Sequence, residues 1–331
     1  MCYEERAAPK IESPDDVIVK LKAAGLEDSD TCLRRERAGE KSRSPDILGA
    51  DGAGIVIAVG SKVESFKLGD AVCLYPCLGC GQCELCTTDR EFMCAHVSGI
   101  GAYATFVRAP ARNCFAIPAG LSFEQAAAFP TAYLTAWRML VTNAELKPGQ
   151  WVLIADIGSS VTTAALQLAQ YLGTRVIVTS HSEENLAKAK EIGAEHGILC
   201  ANTDFAKEVR LRTGKRGADV VIDSIGGDGW VESLASLRRG GRLVTCGATT
   251  GAQPKTNLQR VFWNNLKIFG SIFGSRHEFH QVLNFLKVSR SKPVIDKIMP
   301  LTELSKAQQR LKKGNQFGKI VLQMDHQTKT L

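Results

Sequence analysis

Four cysteines lie close together in the segment CGQCELCTTDREFMC, with the spacing Cys80-x2-Cys83-x2-Cys86-x7-Cys94. Four thiolates this near in sequence can surround one tetrahedral Zn²⁺, and a site closed by four cysteines leaves no open position for chemistry. The spacing therefore predicts one structural zinc per chain, in a lobe of residues 77–94. The alternative is a zinc-free loop of reduced cysteines. Cys77 continues the same rhythm and is expected to stay outside the site.

A second candidate site is the turn in IADIGSSVTTAAL, residues 154–166, where an apolar β-type run meets an apolar helical run. Dinucleotide-binding proteins place G-x-G-x-x-G at such a turn, because glycines let the backbone approach a pyrophosphate. Here Gly158 remains, while the Asp156 carboxylate and the side chains at 160 and 162 oppose binding. The start of the helix is still expected to offer N–H groups to a phosphate, those of Ser159, Ser160, Val161 and Thr162, and the serine hydroxyls can add donors.

The end of the next β-type run bears on the choice of cofactor. Dinucleotide folds that prefer NAD usually carry an acid there, which holds the ribose hydroxyls. This run ends in Ser180-His181-Ser182 and has no acid. We therefore expect NADPH rather than NADH, with the two serines on the 2′-phosphate and His181 adding charge when protonated. The alternative for His181 is an exposed loop residue.

These motifs need elements to position them. From Lys147 onward, β-type runs rich in Val, Ile and Leu alternate with helical runs, which predicts a doubly wound α/β domain with six parallel strands. Short β-type runs with turns precede it, up to about Phe115, and indicate a β-rich domain. Ser122 can cap a helix with Gln125 at the capping-box position, and Pro130 is expected to split that helix.

The length and composition set the wider limits. A chain of 331 residues favours two domains. We place a β-rich catalytic domain at 1–122, a cofactor-binding domain at 123–292, and a return to the first domain at 293–331. Later in the second domain, Asp223–Gly227, Cys246–Thr249 and Gly270–Gly274 lie at the carboxyl ends of strands, where ligands bind in open α/β sheets. Ordinary turns are the alternative there.

Charge and hydropathy exclude several classes of partner. No apolar run approaches the roughly 20 residues of a spanning helix, and the N-terminus has no apolar core of a signal peptide. We therefore expect a cytoplasmic protein that binds no membrane. The net charge is +7, but the densest basic run, 33–43, is interrupted by acids and has no aromatic residues, which disfavours nucleic acid. Without a secretory signal, clustered cysteines indicate metal rather than disulfides.

The chain resembles the medium-chain dehydrogenase/reductase superfamily, in its zinc-type alcohol dehydrogenase and quinone oxidoreductase-like branch. The likeness covers nearly the whole chain. It is carried by the cysteine spacing and by the segments ILGADGAGIVIAVG, GDAVCLYPCLGCGQCELC, AYLTAWRML, LVTCGATTG and QFGKIVL. The resemblance implies a GroES-like catalytic domain followed by a Rossmann domain. It also implies a homodimer joined at the edges of the Rossmann sheets, for which LKIFGSIF is the natural edge.

The positions of the family's catalytic zinc ligands differ in this chain. The resemblance puts Glu27 where the family commonly has Cys, and Ala50-Asp51 where it has His-Glu. The third ligand, often Cys, falls near Thr131. Alanine cannot bind a metal, and neither Glu27 nor Thr131 restores the nitrogen and sulfur set that zinc prefers. The sequence therefore predicts that the catalytic zinc is missing.

The same resemblance nominates further site residues. It implies that residues of three separate segments contact the nicotinamide side of the cofactor. They are Thr135, Cys246, Gly247, Ala248, Ser271 and Phe273. It places Lys319 near the substrate cleft. Proton donors come from segments that line the cleft in the family, namely Tyr133, Glu27, Asp30 and Asp51.

Two functional hypotheses follow. The first is a zinc-independent, NADPH-dependent reductase that transfers hydride to an activated double bond, quinone or carbonyl of a small organic molecule. The second is a pseudoenzyme, or a redox-neutral protein that binds a small molecule or a partner on the same scaffold and has lost the dinucleotide. Binding of NADPH or NADH separates the two.

Overall fold

The computed structural model describes residues 4–27, 47–201 and 203–324. It divides into two compact units. The first unit holds residues up to Thr131 together with those from Gly274, and the second unit is Ala132–Phe273. The boundaries between the units, after Thr131 and after Phe273, thus differ from the predicted domain limits after 122 and 292. Asp30 and the basic run 33–43 lie outside the described residues.

The two helices nearest these limits pack in the first unit. Helix Phe123–Ala128 buries its three alanines against the sheet of that unit. In helix Arg276–Ser289, the Phe279 ring lies 4.9 Å from the Phe115 ring and 5.6 Å from the Tyr75 ring, centroid to centroid. Apolar burial of this kind assigns a helix to the core it fills, whatever its place in the sequence.

The first unit is built on a seven-stranded sheet among the described residues. Its strands are β1 (Asp16–Gly25), β2 (Asp51–Val59), β3 (Ala71–Leu74), β4 (Phe106–Pro110), β5 (Cys114–Ala116), β12 (Ile295–Pro300) and β13 (Lys319–Gln323). The order is β12-β13-β1-β2-β3-β5, and β4 also pairs with β1. The apolar strand β1 is almost wholly buried, because it is central in this sheet. The predicted return of the chain end to the first domain is the pairing of β13 with β1.

Short helices cover and connect these strands. They are α-helices Glu84–Thr87, Phe123–Ala128, Arg276–Ser289 and Leu304–Lys312, and 3₁₀ turns Glu91–Met93, Ala111–Asn113 and Leu301–Glu303. Helix Pro130–Trp137 starts in the first unit, and the second unit begins within this helix at Ala132. A π-helical segment, Arg138–Asn143, follows the helix.

The second unit confirms the predicted doubly wound domain. Six parallel strands form one sheet in the order β11-β10-β9-β6-β7-β8. They are β6 (Trp151–Ile154), β7 (Arg175–Ser180), β8 (His196–Leu199), β9 (Ala218–Asp223), β10 (Leu237–Thr245) and β11 (Lys267–Gly270). The connecting helices are Ser160–Tyr171, Glu183–Glu191, Phe205–Arg212, Gly229–Ser236 and Leu258–Trp263.

The sequence pattern explains this sheet. Strand β6 is apolar and buried throughout, and the centres of β7 and β9, residues 176–178 and 220–222, are apolar and buried, as parallel strands covered by helices must be. Because all six strands run the same way, their carboxyl ends meet at one edge of the sheet. Among the described residues, no helix combines the length and the apolar content that crossing a bilayer requires.

Candidate functional site

The four predicted cysteines come together in the first unit. The Sγ atoms of Cys80, Cys83, Cys86 and Cys94 all lie within 4.8 Å of one another, and the pairs Cys80–Cys86 and Cys83–Cys94 are 3.8 Å apart. Tetrahedral Zn²⁺ with Zn–S bonds of about 2.3 Å requires sulfur atoms about 3.8 Å apart. The arrangement therefore fits a structural four-cysteine zinc site, as the spacing predicted. Cys77 lies outside this group of described residues.

The protein backbone prepares two of these thiols for a metal. Hydrogen bonds from the backbone N–H groups of Gln82 and Cys83 lower the pKa of Cys80 to about 6. Similar backbone bonds lower the pKa of Cys94. Burial instead raises the pKa of Cys86 to about 12. Because a metal binds the thiolate, the lowered pKa values of Cys80 and Cys94 favour metal binding by these two thiols.

A buried charge cluster occupies the end of the same unit's sheet where the resemblance pointed to catalytic zinc. The Lys319 Nζ donates to Asp51 Oδ2 at 2.6 Å and to Glu27 Oε1. The exposed fractions of these side chains are 1% for Lys319, 0% for Asp51 and 9% for Glu27. We call this group the Lys319 cluster.

Strand register explains how residues so distant in sequence meet. Strand β1 pairs with β13 so that Ala24 faces Leu322 and Gly25 faces Val321. The Leu26 N–H donates to the Ile320 carbonyl at 2.9 Å, and this register therefore carries Glu27 to a position opposite Lys319. On its other side, β1 pairs with β2 and sets Gly25 opposite Asp51.

Gly25 provides the space for the lysine. A Cβ at this position would lie 2.5 Å from Lys319 Cε, 2.5 Å from the Ala127 carbonyl oxygen and 3.0 Å from Asp51 Cβ. A glycine in a strand often marks such a close approach. The residue was not singled out at the sequence level, since a glycine at a strand end resembles any turn glycine.

The charges within the cluster keep Lys319 in its ammonium form. Burial by itself lowers the pKa of Lys319, but the negative charges of Asp51 and Glu27, with their hydrogen bonds, raise that pKa above its ordinary value. A buried ammonium is tolerated only when it is paired and hydrogen-bonded. Both carboxylates therefore stabilise the cation, which the sequence had placed only near the cleft.

Asp51 also anchors the helix that carries three other predicted residues. Its Oδ1 accepts hydrogen bonds from the Thr131 backbone N–H at 2.9 Å and from the Thr131 hydroxyl at 2.6 Å. The predicted capping box of Ser122 and Gln125 is present, and Pro130 splits the helical run as expected. A carboxylate at a helix start satisfies an N–H group that the helix itself leaves open.

Tyr133 and Thr135 lie on this helix within the second unit. Both are buried, and the Tyr133 hydroxyl donates to Gln167 Oε1. Burial raises the pKa of Tyr133 far above its usual value, so the phenol keeps its proton at neutral pH. The sequence did not predict that Gln167 accepts this hydrogen bond, because the pattern of its helix does not show whether Gln167 faces the core or the solvent.

The first βα turn has a tightly bonded interior. The Gly158 N–H donates to Thr162 Oγ1 at 3.2 Å, and Ser159 Oγ lies 3.0 Å from the same oxygen. Ser159 caps helix Ser160–Tyr171 by accepting from the Thr162 N–H. The Thr162 hydroxyl therefore occupies part of the space that glycines leave open in other dinucleotide turns. The N–H groups of Ser160 and Val161 remain, since the first turn of a helix has no carbonyl for them.

Asp156 precedes this turn with left-handed backbone (φ 53°). Its N–H donates to Thr179 Oγ1 at 2.9 Å. Burial raises the pKa of Asp156, and the charge of His181 partly offsets that effect. The Asp156 carboxylate thus interacts electrostatically with His181, the residue that follows strand β7.

The residues proposed for the 2′-phosphate lie at the end of β7. Ser180 is buried, and its Oγ accepts from the Ser182 N–H at 3.1 Å. Ser182 caps the next helix by accepting from the Asn185 N–H at 3.2 Å. His181 is exposed. Each serine hydroxyl acts as an acceptor in these bonds and keeps its own hydrogen as a donor.

The other predicted cofactor residues follow β10 and β11 at the same edge of the sheet. Cys246, Gly247 and Ala248 come directly after β10, and Ser271 and Phe273 come after β11. Ser271 Oγ is buried and has no hydrogen-bond partner among the described residues. Phe273 has left-handed backbone (φ 41°). Buried polar atoms without partners and strained residues both concentrate at ligand sites.

The sheet order places these groups on two sides of the first turn. Strand β7 is next to β6 on one side, whereas β9, β10 and β11 follow on the other. Residues 180–182 are thus separated from 246–248 and 271–273 by the turn at Gly158. Asp223, at the end of β9, holds its own loop by accepting from the Ile225 and Gly226 N–H groups and from Ser233.

Both units of the chain match families of known proteins. Residues 13–119 match the alcohol dehydrogenase GroES-like domain, and residues 160–288 match the zinc-binding dehydrogenase family. An alcohol dehydrogenase of Geobacillus stearothermophilus is 33% identical over 330 residues, which cover 97% of this chain and 96% of the relative. The chain belongs to the zinc-type alcohol dehydrogenase family. This alcohol dehydrogenase-like protein is therefore an oxidoreductase of the medium-chain dehydrogenase/reductase superfamily.

Further relatives agree over the full length. The NAD-dependent alcohol dehydrogenase of Sulfolobus acidocaldarius is 29% identical and covers 97% of this chain and 95% of its own. A crystal structure of an NAD-dependent alcohol dehydrogenase superposes with a TM-score of 0.93 at 37% identity, covering 97% of this chain and 95% of that one. The GroES-like and Rossmann fold classes predicted for this family member are thus confirmed.

Proposed function

We propose that this alcohol dehydrogenase-like protein is a reductase that works without a catalytic zinc. A nicotinamide cofactor would supply hydride to an activated double bond, a quinone or a carbonyl of a small organic molecule. The observation that carries the proposal is the Lys319 ammonium, which pairs with both Glu27 and Asp51. By resemblance, Glu27 and Asp51 lie in the two segments that carry zinc ligands in the family, and Lys319 pairs with both of these acids.

The residues in these segments do not fit a catalytic zinc. Ala50 has no ligand atom, and the Thr131 hydroxyl donates its hydrogen to Asp51. Oxygens of Glu27 and Asp51 accept hydrogen bonds from Lys319. Catalytic zinc sites use three protein ligands, such as three histidines or two cysteines and a histidine. The proposed reaction therefore needs polarisation and proton supply from other groups of the protein.

We place a dinucleotide at the carboxyl edge of the second unit's sheet, where ligands of open α/β sheets bind. We assign the pyrophosphate to the Ser160 and Val161 N–H groups at the helix start, which also carries a partial positive charge. We assign the nicotinamide side to the loops after β10 and β11. The buried Ser271 hydroxyl supports that assignment, because a bound carboxamide or water would satisfy it.

For the cofactor we propose NADPH in preference to NADH. The end of β7 has two serine hydroxyls and an exposed His181 in place of an acid. A 2′-phosphate gains hydrogen bonds and charge from such a set, whereas an acid there would repel it. Several relatives are named NAD-dependent, so this preference is the part of the proposal that separates the chain from them.

Among the described candidates for proton donor, we favour Tyr133. Glu27 and Asp51 accept hydrogen bonds from Lys319, whereas the Tyr133 hydroxyl carries a proton, which it donates to Gln167 Oε1. Asp30 stays a prediction, since it lies outside the described residues. The remaining work of the protein is to position hydride donor and acceptor and to exclude water.

The decisive experiment is a titration of the purified protein with NADPH and with NADH, followed by the quenching of its four tryptophans. We expect saturable binding of both, tighter for NADPH. Metal analysis of the same sample should give one zinc per chain, held by the four cysteines. No binding of either cofactor at millimolar concentration would overturn the reductase proposal and favour the redox-neutral alternative. Two zinc ions per chain would overturn the zinc-free site.

We also propose that two copies associate through the free edge of β11. This strand ends the described sheet, and exposed apolar side chains lie on it and on the segments just before and after it in sequence. They belong to Leu258, Phe262, Trp263, Ile268 and Ile272. An exposed edge strand with apolar neighbours is a template for pairing, and a two-fold axis lets the same edge serve both copies. A cytoplasmic location and the absence of nucleic-acid partners stay predictions.

A further inference from the structure

A basic cavity of about 850 Å³ lies at the amino edge of the second unit's sheet. Gln150 directly precedes β6, Asp219 lies at the start of β9, Leu237 starts β10, and all three residues line the cavity. These strands are parallel neighbours in the sheet, so their amino ends meet at one edge. The edge where we place the dinucleotide is the opposite one. We call this space the amino-edge cavity.

Positive charge dominates the wall of the amino-edge cavity. Among the described residues that line it, one is acidic, Asp219. The basic residues of the wall are Arg210, Lys215, Arg216, Arg238 and Arg239. The wall thus carries four more positive than negative charges, and a concave wall of one sign concentrates ions of the opposite sign. Like charges held this close repel one another, and a bound anion offsets that repulsion.

Asp219 holds two of the arginines in place. Its side chain is 3% exposed, and each of its two oxygens lies 3.1 Å from Arg216 Nη2. Arg238 Nε donates to Asp219 Oδ1, and the Trp151 N–H donates to Asp219 Oδ2 at 2.9 Å. A guanidinium has five N–H donors, so each arginine keeps donors beyond those bonded to Asp219. Since the two guanidiniums are already positioned, they lose little freedom when an anion binds.

The charges of Lys215 and Arg239 are not neutralised by the protein. Both side chains are exposed, and neither forms an ion pair with any of the described residues. Arg210 donates from Nη2 to the carbonyls of Ala235 and Leu237, at 3.1 and 3.3 Å, which are neutral acceptors. The cavity therefore combines positioned guanidiniums with cations that have no counter-charge.

We propose that the amino-edge cavity binds the triphosphate group of a small molecule. Such a group carries several negative charges at neutral pH, and its oxygens accept the paired N–H bonds that a guanidinium offers. The volume lies within the range of small-molecule sites, roughly 300–1,000 Å³. This site is additional to the proposed reductase function, and binding there requires neither a dinucleotide nor turnover.

The composition of the wall favours a compact ligand over a nucleic acid strand. None of the described residues that line the cavity is aromatic. Single strands are held in large part by the stacking of bases on aromatic side chains, which this wall does not provide. The apolar side chains of the wall, Pro148 and Leu237, instead offer contact to the remainder of a small phosphorylated molecule.

The test is isothermal titration calorimetry of the zinc-loaded protein with inorganic tripolyphosphate, in the absence of divalent metal. We expect saturable binding of one tripolyphosphate per chain, and weaker binding of orthophosphate and sulfate, which reach fewer of the basic groups. A parallel titration with ATP distinguishes the two sources of the triphosphate group. Equal affinities indicate that the phosphates alone are recognised, and tighter binding of ATP indicates a nucleotide.

A double variant and a matched control locate the binding. Lys215→Gln with Arg239→Gln should weaken tripolyphosphate binding by about tenfold or more, since two cations of the wall are lost. The control, Lys62→Gln with Lys67→Gln, removes the same number of charges from exposed residues of the first unit and should bind as wild type does. Both variants change exposed side chains and leave the bonds of Asp219 in place, so both should fold.

Three results would overturn the proposal. They are a wild type that shows no saturable binding of tripolyphosphate at millimolar concentration, a cavity variant that binds it as tightly as the control does, and an oligonucleotide that binds the same basic residues more tightly than tripolyphosphate. Saturating NADPH should leave tripolyphosphate binding unchanged, and mutual displacement would place the anion at the carboxyl edge and also contradict the proposal. If NADPH does not bind, the reductase proposal fails, whereas the tripolyphosphate titrations still decide this one.

Discussion

Gly25→Ala is the substitution that tests the packing of the Lys319 cluster most directly. The new methyl group would meet the Lys319 Cε and the Ala127 carbonyl oxygen, each at 2.5 Å. Neither neighbour can move away freely, because the carbonyl belongs to a helix backbone and the lysine is bonded to two carboxylates. The strand must shift, or the ion pairs must lengthen.

Two opposing effects set the magnitude. Replacing glycine by alanine at a position with ordinary backbone angles stabilises a protein by about 0.4–1 kcal/mol, because the unfolded chain loses freedom. Forcing extra atoms into a packed core costs about 1–3 kcal/mol. We therefore expect the free energy of unfolding of Gly25→Ala to fall by roughly 1–2 kcal/mol.

The assay is urea unfolding, followed by tryptophan fluorescence. Gly270→Ala is the matched control, because Gly270 also ends a strand, yet nothing lies within 4 Å of a Cβ there. It should be at least as stable as wild type. In a Lys319→Ala background, the loss from Gly25→Ala should shrink, since the Cε that the methyl group meets is gone. A Gly25→Ala protein as stable as wild type would refute the packing argument.

Three further predictions concern the zinc lobe, the cofactor and the association of two copies. In protein freed of zinc by a chelator, iodoacetamide at pH 7 should modify Cys80 before Cys86, because their pKa values are about 6 and about 12. Mass spectrometry identifies the modified cysteines. The rate of modification at Cys80 should fall as the pH drops through about 6. Equal rates at both thiols would contradict this order. His181→Asp should weaken NADPH binding by about tenfold or more and leave NADH binding unchanged, since a carboxylate repels a 2′-phosphate by more than about 1.4 kcal/mol. Fluorescence titration measures the affinity for each cofactor. An unchanged ratio of the NADPH and NADH affinities would argue against this ribose site. Ile268→Lys should turn a dimer into a monomer in sedimentation velocity. Leu211→Lys should not, because Leu211 is also exposed but lies on a helix of the second unit, away from strand β11 in sequence. A dimer that survives Ile268→Lys would exclude the β11 edge as the interface.

Local patterns predicted the second unit well, because each of its elements has a strong signal of its own. The six apolar runs became the six strands. In the first unit, the capping box of Ser122 also formed as predicted. The helical pattern of GWVESLASLRRG extends over residues 229–240, yet the helix ends at Ser236, and Leu237 starts β10 by pairing with Ala218 of β9. Tertiary pairing overrode local propensity there.

The candidate site was predictable in its members but less so in their connections. The resemblance nominated Glu27, Asp51 and Lys319 one by one, as proton donors and as a residue near the cleft. Their mutual bonding depends on the register of β1 against β13, which joins segments 292 residues apart. No local pattern specifies such a register. The four cysteines were predictable as a set, because all of them lie within one short segment.

The place of β13 has a consequence for the order in which the protein folds during synthesis. This strand lies between β12 and β1, so the sheet of the first unit stays incomplete until residue 323 has left the ribosome. Lys319 follows Asp51 by 268 residues, which corresponds to roughly 10–50 s of translation at about 5–20 residues per second. The second unit is continuous in sequence and can form in that interval. During the wait Glu27 and Asp51 have no lysine to neutralise them, and the newly made β-rich segment must remain hydrated and open until its last strand arrives.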